Sequence, residues 1–131
     1  MRTAIAAAED AAQERDIAAL RAWIAEPYRD ERGRTKRDIE DFLRFWLLRS
    51  QKLYVLTRVT EVGIDPETMR ARASVFTALA SQPIESTGAL RDIRADLYWI
   101  DLELEPIDGA WRVVAADWRL ATLGDLSSDL L

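Results

Sequence analysis

Apolar positions along the chain change period once. From Ala4 to Glu26 the segment AIAAAEDAAQERDIAALRAWIAE sets Ile17, Leu20 and Ile24 at spacings of three and four, the period of an amphipathic helix. One turn earlier the stripe meets Gln13, so the first half of this 4–26 helix rests on alanine propensity. Pro27 stops it, and Gly33 marks a turn in the connection PYRDERGR. Thr35 followed by Asp38 forms a capping-box pattern, and Ile39, Phe42, Leu43 and Trp46 make the apolar stripe of a second helix over 35–50. Phe45, Leu47 and Leu48 lie elsewhere on that helix, which predicts cover on more than one side.

After Gln51 the period becomes two. Leu53 to Val62 is rich in Val, Thr, Tyr and Leu, the turn GIDPET follows, and Met69 to Ala80 alternates, which predicts a hairpin over 53–80. SQPIESTGALRDI, with Pro83 and Gly88, reads as a long connection with room for one helical turn. A second hairpin over 95–122 turns at IDG, and 123–131 is a tail. Its register has two solutions. A two-residue Asp108-Gly109 loop places Tyr98, Ile100, Leu102 and Leu104 on one face with Val113, Ala115, Asp117 and Arg119; a three-residue loop with a glycine bulge pairs them with Val114, Ala116 and Trp118 instead. The first builds a polar pocket end from Tyr98, Asp117 and Arg119, the second a dry core.

Helices followed by long antiparallel strands describe an α+β layered domain spanning 1–131, with the helices on one face of the sheet. Leu97, Trp99, Val114 and Trp118 are more large apolar groups than two helices can cover, so the other face is a candidate homodimer surface centred on Trp99 and Trp118.

Composition narrows the chemistry. Of 131 residues 49% are hydrophobic and 31% charged, enough apolar mass for one packed core. The chain has no Cys and no His, which removes thiol and imidazole nucleophiles, imidazole bases and the usual zinc sites. A net charge of -5 argues against a nucleic-acid partner, and the basic stretch from Arg29 to Arg37 is interleaved with Asp30, Glu31 and Asp38. The carboxylates Asp101, Glu103 and Glu105 point in parallel along one strand face and cannot surround an ion, so no metal is expected. No run reaches the length of a membrane span, and MRTAIAAAED turns acidic too early for a signal peptide. The chain therefore reads as soluble and cytoplasmic by default, or exported or lipid-anchored if a leader was removed.

The Ala-rich first helix, the loop PYRDERG, a second helix and two hairpins ending in DGAWRVVAADW resemble the nuclear transport factor 2-like (cystatin-like cone) superfamily, in particular its uncharacterised bacterial branch. The resemblance runs from about Ala4 to Ala121. It implies a cone: N-terminal helices packed in the concavity of a strongly bent antiparallel sheet, a pocket inside, and a convex face that often forms a homodimer. Its ketosteroid isomerase-like members carry a base aspartate shortly before a glycine, which Asp30 and Gly33 match, but the enolate-binding tyrosine has no counterpart in this first helix, leaving only Tyr28, Tyr54 and Tyr98. Epoxide hydrolase-like members pair aspartates with an arginine, for which Asp101, Asp117, Arg58 and Arg119 offer the residue types. Beside these stand plainer readings: Asp30 as a loop carboxylate facing Arg32 or Arg34, Asp117 and Arg119 as a surface pair, and Trp23 and Trp46 as core. The expectation is a dimeric, non-catalytic module without a cofactor that binds a small ligand or a protein partner, with Tyr28, Tyr98, Asp117 and Arg119 as pocket candidates and a small apolar molecule as the possible ligand; the alternative is a cofactor-free lyase, isomerase or hydrolase acting on a mainly apolar molecule with Asp30 or Asp117 as base.

Overall fold

The computed structural model describes residues 2–49, 54–84, 90 and 95–122. Among these residues three helices, α1 (Arg2–Gln13), α2 (Ile17–Trp23) and α3 (Lys36–Arg49), precede four strands, β1 (Tyr54–Ile64), β2 (Ala71–Ala80), β3 (Ala95–Ile107) and β4 (Ala110–Leu120). The strands form one antiparallel meander in the order β1-β2-β3-β4, which is not closed. The helices lie in its concavity, so the architecture is an α+β cone. The 123–131 tail and most of the 81–94 connection, with its expected helical turn, lie outside the described residues. No helix among the described residues is long and apolar enough to cross a membrane.

The single helix expected over 4–26 is two. Arg15 takes a left-handed conformation (φ 58), and the Asp16 and Arg15 amides donate back to the carbonyls of Ala11 (2.8 Å) and Ala12 (3.2 Å), the paired closure of a helix C-terminus. Asp16 then caps α2 by accepting from the Ala19 amide at 3.0 Å. A run of alanines hides this break, because propensity reads through a cap. The second helix stops at Trp23 rather than Glu26, since Ile24 is extended (φ -88, ψ 124) and bridges Val113, while the Ala25 and Arg29 amides donate to Val113 and Val114. At the start of α3 the Asp38 carboxylate accepts from the Thr35 amide (2.9 Å) and hydroxyl (3.2 Å), the cap expected of that pair. Of the residues expected to need cover elsewhere on this helix, Leu47 is buried and Phe45 is exposed, and the Leu48 side chain lies outside the described residues.

The second hairpin uses both of its registers in succession. Asp108 (φ 52) and Gly109 (φ 80) make a two-residue turn that twists with the strands, pairing Ile107 with Ala110 and Leu104 with Val113. A bulge between Glu103 and Leu104 then shifts the pairing, so Leu102 faces Ala116 and Ile100 faces Trp118. One extra residue on β4 turns Trp118 inward and Asp117 and Arg119 outward.

Two apolar layers result. Inside, Ile5, Ile24, Tyr28, Ala73, Val75 and Leu104 build the core under the helices. Outside, Leu56, Phe76 and Ala78 form a second cluster with Leu90, and Ile84, Leu97 and Trp99 pack against it. The outer face expected to stay open is thus partly covered by its own connection. Its remainder carries ion pairs of Arg70 and Arg72 with Glu103.

Candidate functional site

Between the helices and the concave sheet lies a cavity of about 250 Å³. This is just below the range of roughly 300–1,000 Å³ typical of small-molecule sites. Its geometry follows from period and register: on β2, Val75, Thr77 and Leu79 face inward and alternate with outward Phe76 and Ala78. Trp23, Phe42 and Trp46 of the helices close over Tyr98, Ile100 and Trp118 of the sheet. Phe42 and Trp118 meet at 5.3 Å between ring centroids, and Trp46 stands edge-on to Tyr98 at 6.5 Å.

One polar row crosses this wall. Thr57 pairs with Thr77, and Thr77 with Tyr98, so three polar side chains sit abreast on three adjacent strands. Glu9 of α1 reaches this row: its Oε2 accepts the Thr57 amide at 3.0 Å and the Thr57 hydroxyl. Among the described residues the Thr77 hydroxyl is buried without a hydrogen-bond partner, as is the Trp23 indole N–H. Burial, and secondarily the charge of Asp96, raises the Tyr98 pKa and keeps the phenol protonated.

Behind the wall stands a second, fully engaged polar cluster. Tyr28 donates its hydroxyl to Asp30 Oδ2 at 2.7 Å and accepts the Ala116 amide at 3.1 Å. Arg34 Nε donates to the same Oδ2 at 2.7 Å, while Asp30 Oδ1 accepts the amides of Arg32 (3.0 Å) and Arg34 (3.1 Å). Gly33 makes this tight loop possible with a φ of 75, which a side chain would oppose. The Arg34 guanidinium lies 3.8 Å over the Trp118 ring centroid, tying the loop to β4. Burial acts to raise the Asp30 pKa, but the hydrogen bonds from Tyr28 and Arg34 and the Arg34 charge outweigh it and hold the carboxyl below its ordinary range. For Tyr28, burial first and then the bond to Asp30 raise the phenol well above its usual value. A carboxylate with four donors and a lowered pKa is suited to anchoring a loop and poorly suited to taking a proton.

The sequence-derived candidates separate accordingly. Tyr28 and Tyr98 line the cavity, whereas Asp30 sits behind Tyr28 and is not on the wall. Asp117 and Arg119 correct the polar-pocket register, because the bulge sends both to the outer face: Asp117 lies 3.8 Å from Arg32, and Arg119 lies 3.6 Å from Asp101. Arg58 is exposed and donates to the Thr57 carbonyl, so the aspartates and arginines of an epoxide hydrolase-like set do not converge on the cavity. The two interface candidates part as well, with Trp118 inside and Trp99 outside, 5.5 Å from Phe76. Sequence reasoning passed over Glu9, Thr57 and Thr77. Their signal was there: Glu9 stands four residues after Ile5 on the buried stripe of α1, and Thr57 and Thr77 occupy inward positions of alternating strands.

No protein-family model matches the chain, and no curated protein sequence matches it. Solved structures do. A candidate calcium/calmodulin-dependent protein kinase type II association domain from Thiobacillus denitrificans superposes with a TM-score of 0.69 at 11% identity, covering 92% of this chain and 94% of that chain. A candidate dehydratase from the NTF2-like family of Streptomyces avermitilis gives 0.65 at 9% identity, over 92% of each chain. A protein of unknown function with a cystatin-like fold from Nostoc punctiforme gives 0.64 at 11% identity, covering 92% of this chain and 87% of that chain. The fold is therefore the NTF2-like, cystatin-like cone, a frame on which binding modules and enzymes both occur.

Proposed function

We propose that the chain is a binding module for a small, mainly apolar molecule held in the cone cavity, without a catalytic base of its own. The observation that carries this reading is the cavity wall itself: aromatic and aliphatic side chains enclose about 250 Å³, and the polar groups on it are few. Asp30, the carboxylate best buried for base chemistry, spends both oxygens on Tyr28, Arg32 and Arg34. Trp23, Trp46 and Trp118 report on the cavity, so titration with ethylbenzene, followed by tryptophan fluorescence and by chemical shifts of the lining methyl groups, tests the reading. Saturable changes confined to lining residues are expected. A flat titration up to the solubility limit would overturn it.

Self-association through the outer face belongs to the same proposal. Leu97 and Trp99 remain half-buried there, which supports a contact surface of modest size. Light scattering across a concentration series tests it, and a mass of one chain throughout would remove the dimer.

A further inference from the structure

Resting on the reading of the cavity as a binding site, we propose that the molecule it takes is an apolar amine, with its ammonium group set against Glu9 at the end of the polar row. Glu9 is the one charged side chain on the cavity wall among the described residues, and its charge is negative. No ion pair among those residues includes it. A half-buried carboxylate at the edge of an apolar space gains from a cation that arrives with the ligand, because the aromatic and aliphatic groups around it offer few polar partners. Both bonds from Thr57 end on Oε2, so Oε1 is the oxygen a ligand N–H would meet.

Two further observations point the same way. The Thr77 hydroxyl, directly across from Thr57 on the neighbouring strand, is 6% exposed and lacks a partner among the described residues, which supplies a second oxygen in the same polar row. An ammonium group carries three donors and no acceptor, matching the oxygens of Glu9 and Thr77 at this end of the wall. Trp46 and Tyr98 line the same space, and aromatic faces attract cations. A ligand carboxylate would meet Glu9 with no lysine or arginine on the wall among the described residues to offset the repulsion, so acids of the same skeleton should bind poorly.

Four probes of one skeleton test this on the unaltered protein: phenethylamine, phenethyl alcohol, phenylacetate and ethylbenzene, titrated by fluorescence and by chemical shifts. The expected order places the amine at least about tenfold tighter than ethylbenzene, the alcohol between them, and phenylacetate without saturable binding. In Glu9→Gln, whose amide oxygen still accepts from Thr57, the amine should lose its advantage over ethylbenzene. Ethylbenzene binding with an amine no tighter than the hydrocarbon would overturn the amine proposal and leave the apolar pocket standing. Failure of all four probes to bind would overturn both.

Discussion

Asp30→Asn isolates the loop anchor with little change in shape. In the native protein Oδ2 takes donors from Tyr28 and Arg34 at 2.7 Å each, and Oδ1 takes two backbone amides. The variant keeps an oxygen for the amides but turns an NH2 toward the Tyr28 hydroxyl and Arg34 Nε. The hydroxyl can rotate away; the guanidinium cannot become an acceptor, and it stays partly buried against Trp118 with its carboxylate gone. Breaking a buried pair on one side costs about 3–5 kcal/mol, and the retained amide bonds favour the lower end, about 3 kcal/mol. With a urea dependence of about 2 kcal/mol per molar, the unfolding midpoint should fall by roughly 1.5 M. Tryptophan fluorescence in urea measures it, with Asp117→Asn as control, since an exposed pair at 3.8 Å should change stability by under about 1 kcal/mol. The pH dependence has a definite sign. Asp30 titrates lower in the folded state, so its contribution is complete above the unfolded value of about 3.9 and is lost as pH falls through the folded value. The gap between native and variant proteins should therefore be full at pH 7 and close below about pH 4. A midpoint for Asp30→Asn within about 0.3 M of the native one at pH 7 would refute the anchoring role.

Other perturbations separate the remaining parts of the structure. Thr77→Val replaces an unpartnered buried hydroxyl with a methyl group of the same shape and should leave stability unchanged or raise it by up to about 1 kcal/mol in urea unfolding; a clear loss would mean the hydroxyl is bonded. Leu104→Ala, at a fully buried site where the bulge begins, should cost about 2–5 kcal/mol in the same assay. Trp99→Ala should reduce self-association in light scattering while leaving ethylbenzene binding intact, because its ring lies on the opposite face from the cavity; lost binding would contradict that placement. Gly109→Val places a branched side chain at a φ of 80 and should lower the midpoint by more than Gly63→Val, where φ is ordinary.

Apart from the break between α1 and α2, which alanine propensity hides, the elements were legible because their signals are local. Ile39, Phe42, Leu43 and Trp46 mark α3 by spacing alone, Thr35 and Asp38 cap it, and Asp108-Gly109 closes the second hairpin, all within a few residues of one another. Which face each side chain occupies was decided elsewhere. A period of two states that neighbours alternate and carries no memory of a bulge, so one extra residue on β4 exchanges Asp117 and Arg119 for Trp118 at the cavity. The alternation holds on both sides of that bulge, and packing under the helices sets where it falls. Asp30 shows the same division: its loop, its glycine and the nearby arginines stand in a row in the sequence, but the tertiary fold buries it behind Tyr28, whose hydroxyl is held by the Ala116 amide 88 residues away. The polar row follows this rule too. Glu9, Thr57 and Thr77 belong to three elements, and only the docking of α1 on β1 and the pairing of β1 with β2 bring them to one wall. Sequence determined the elements and the turns because those depend on neighbours; the cavity, its charge and its lining came from long-range register and docking, which depend on how the whole apolar surface closes.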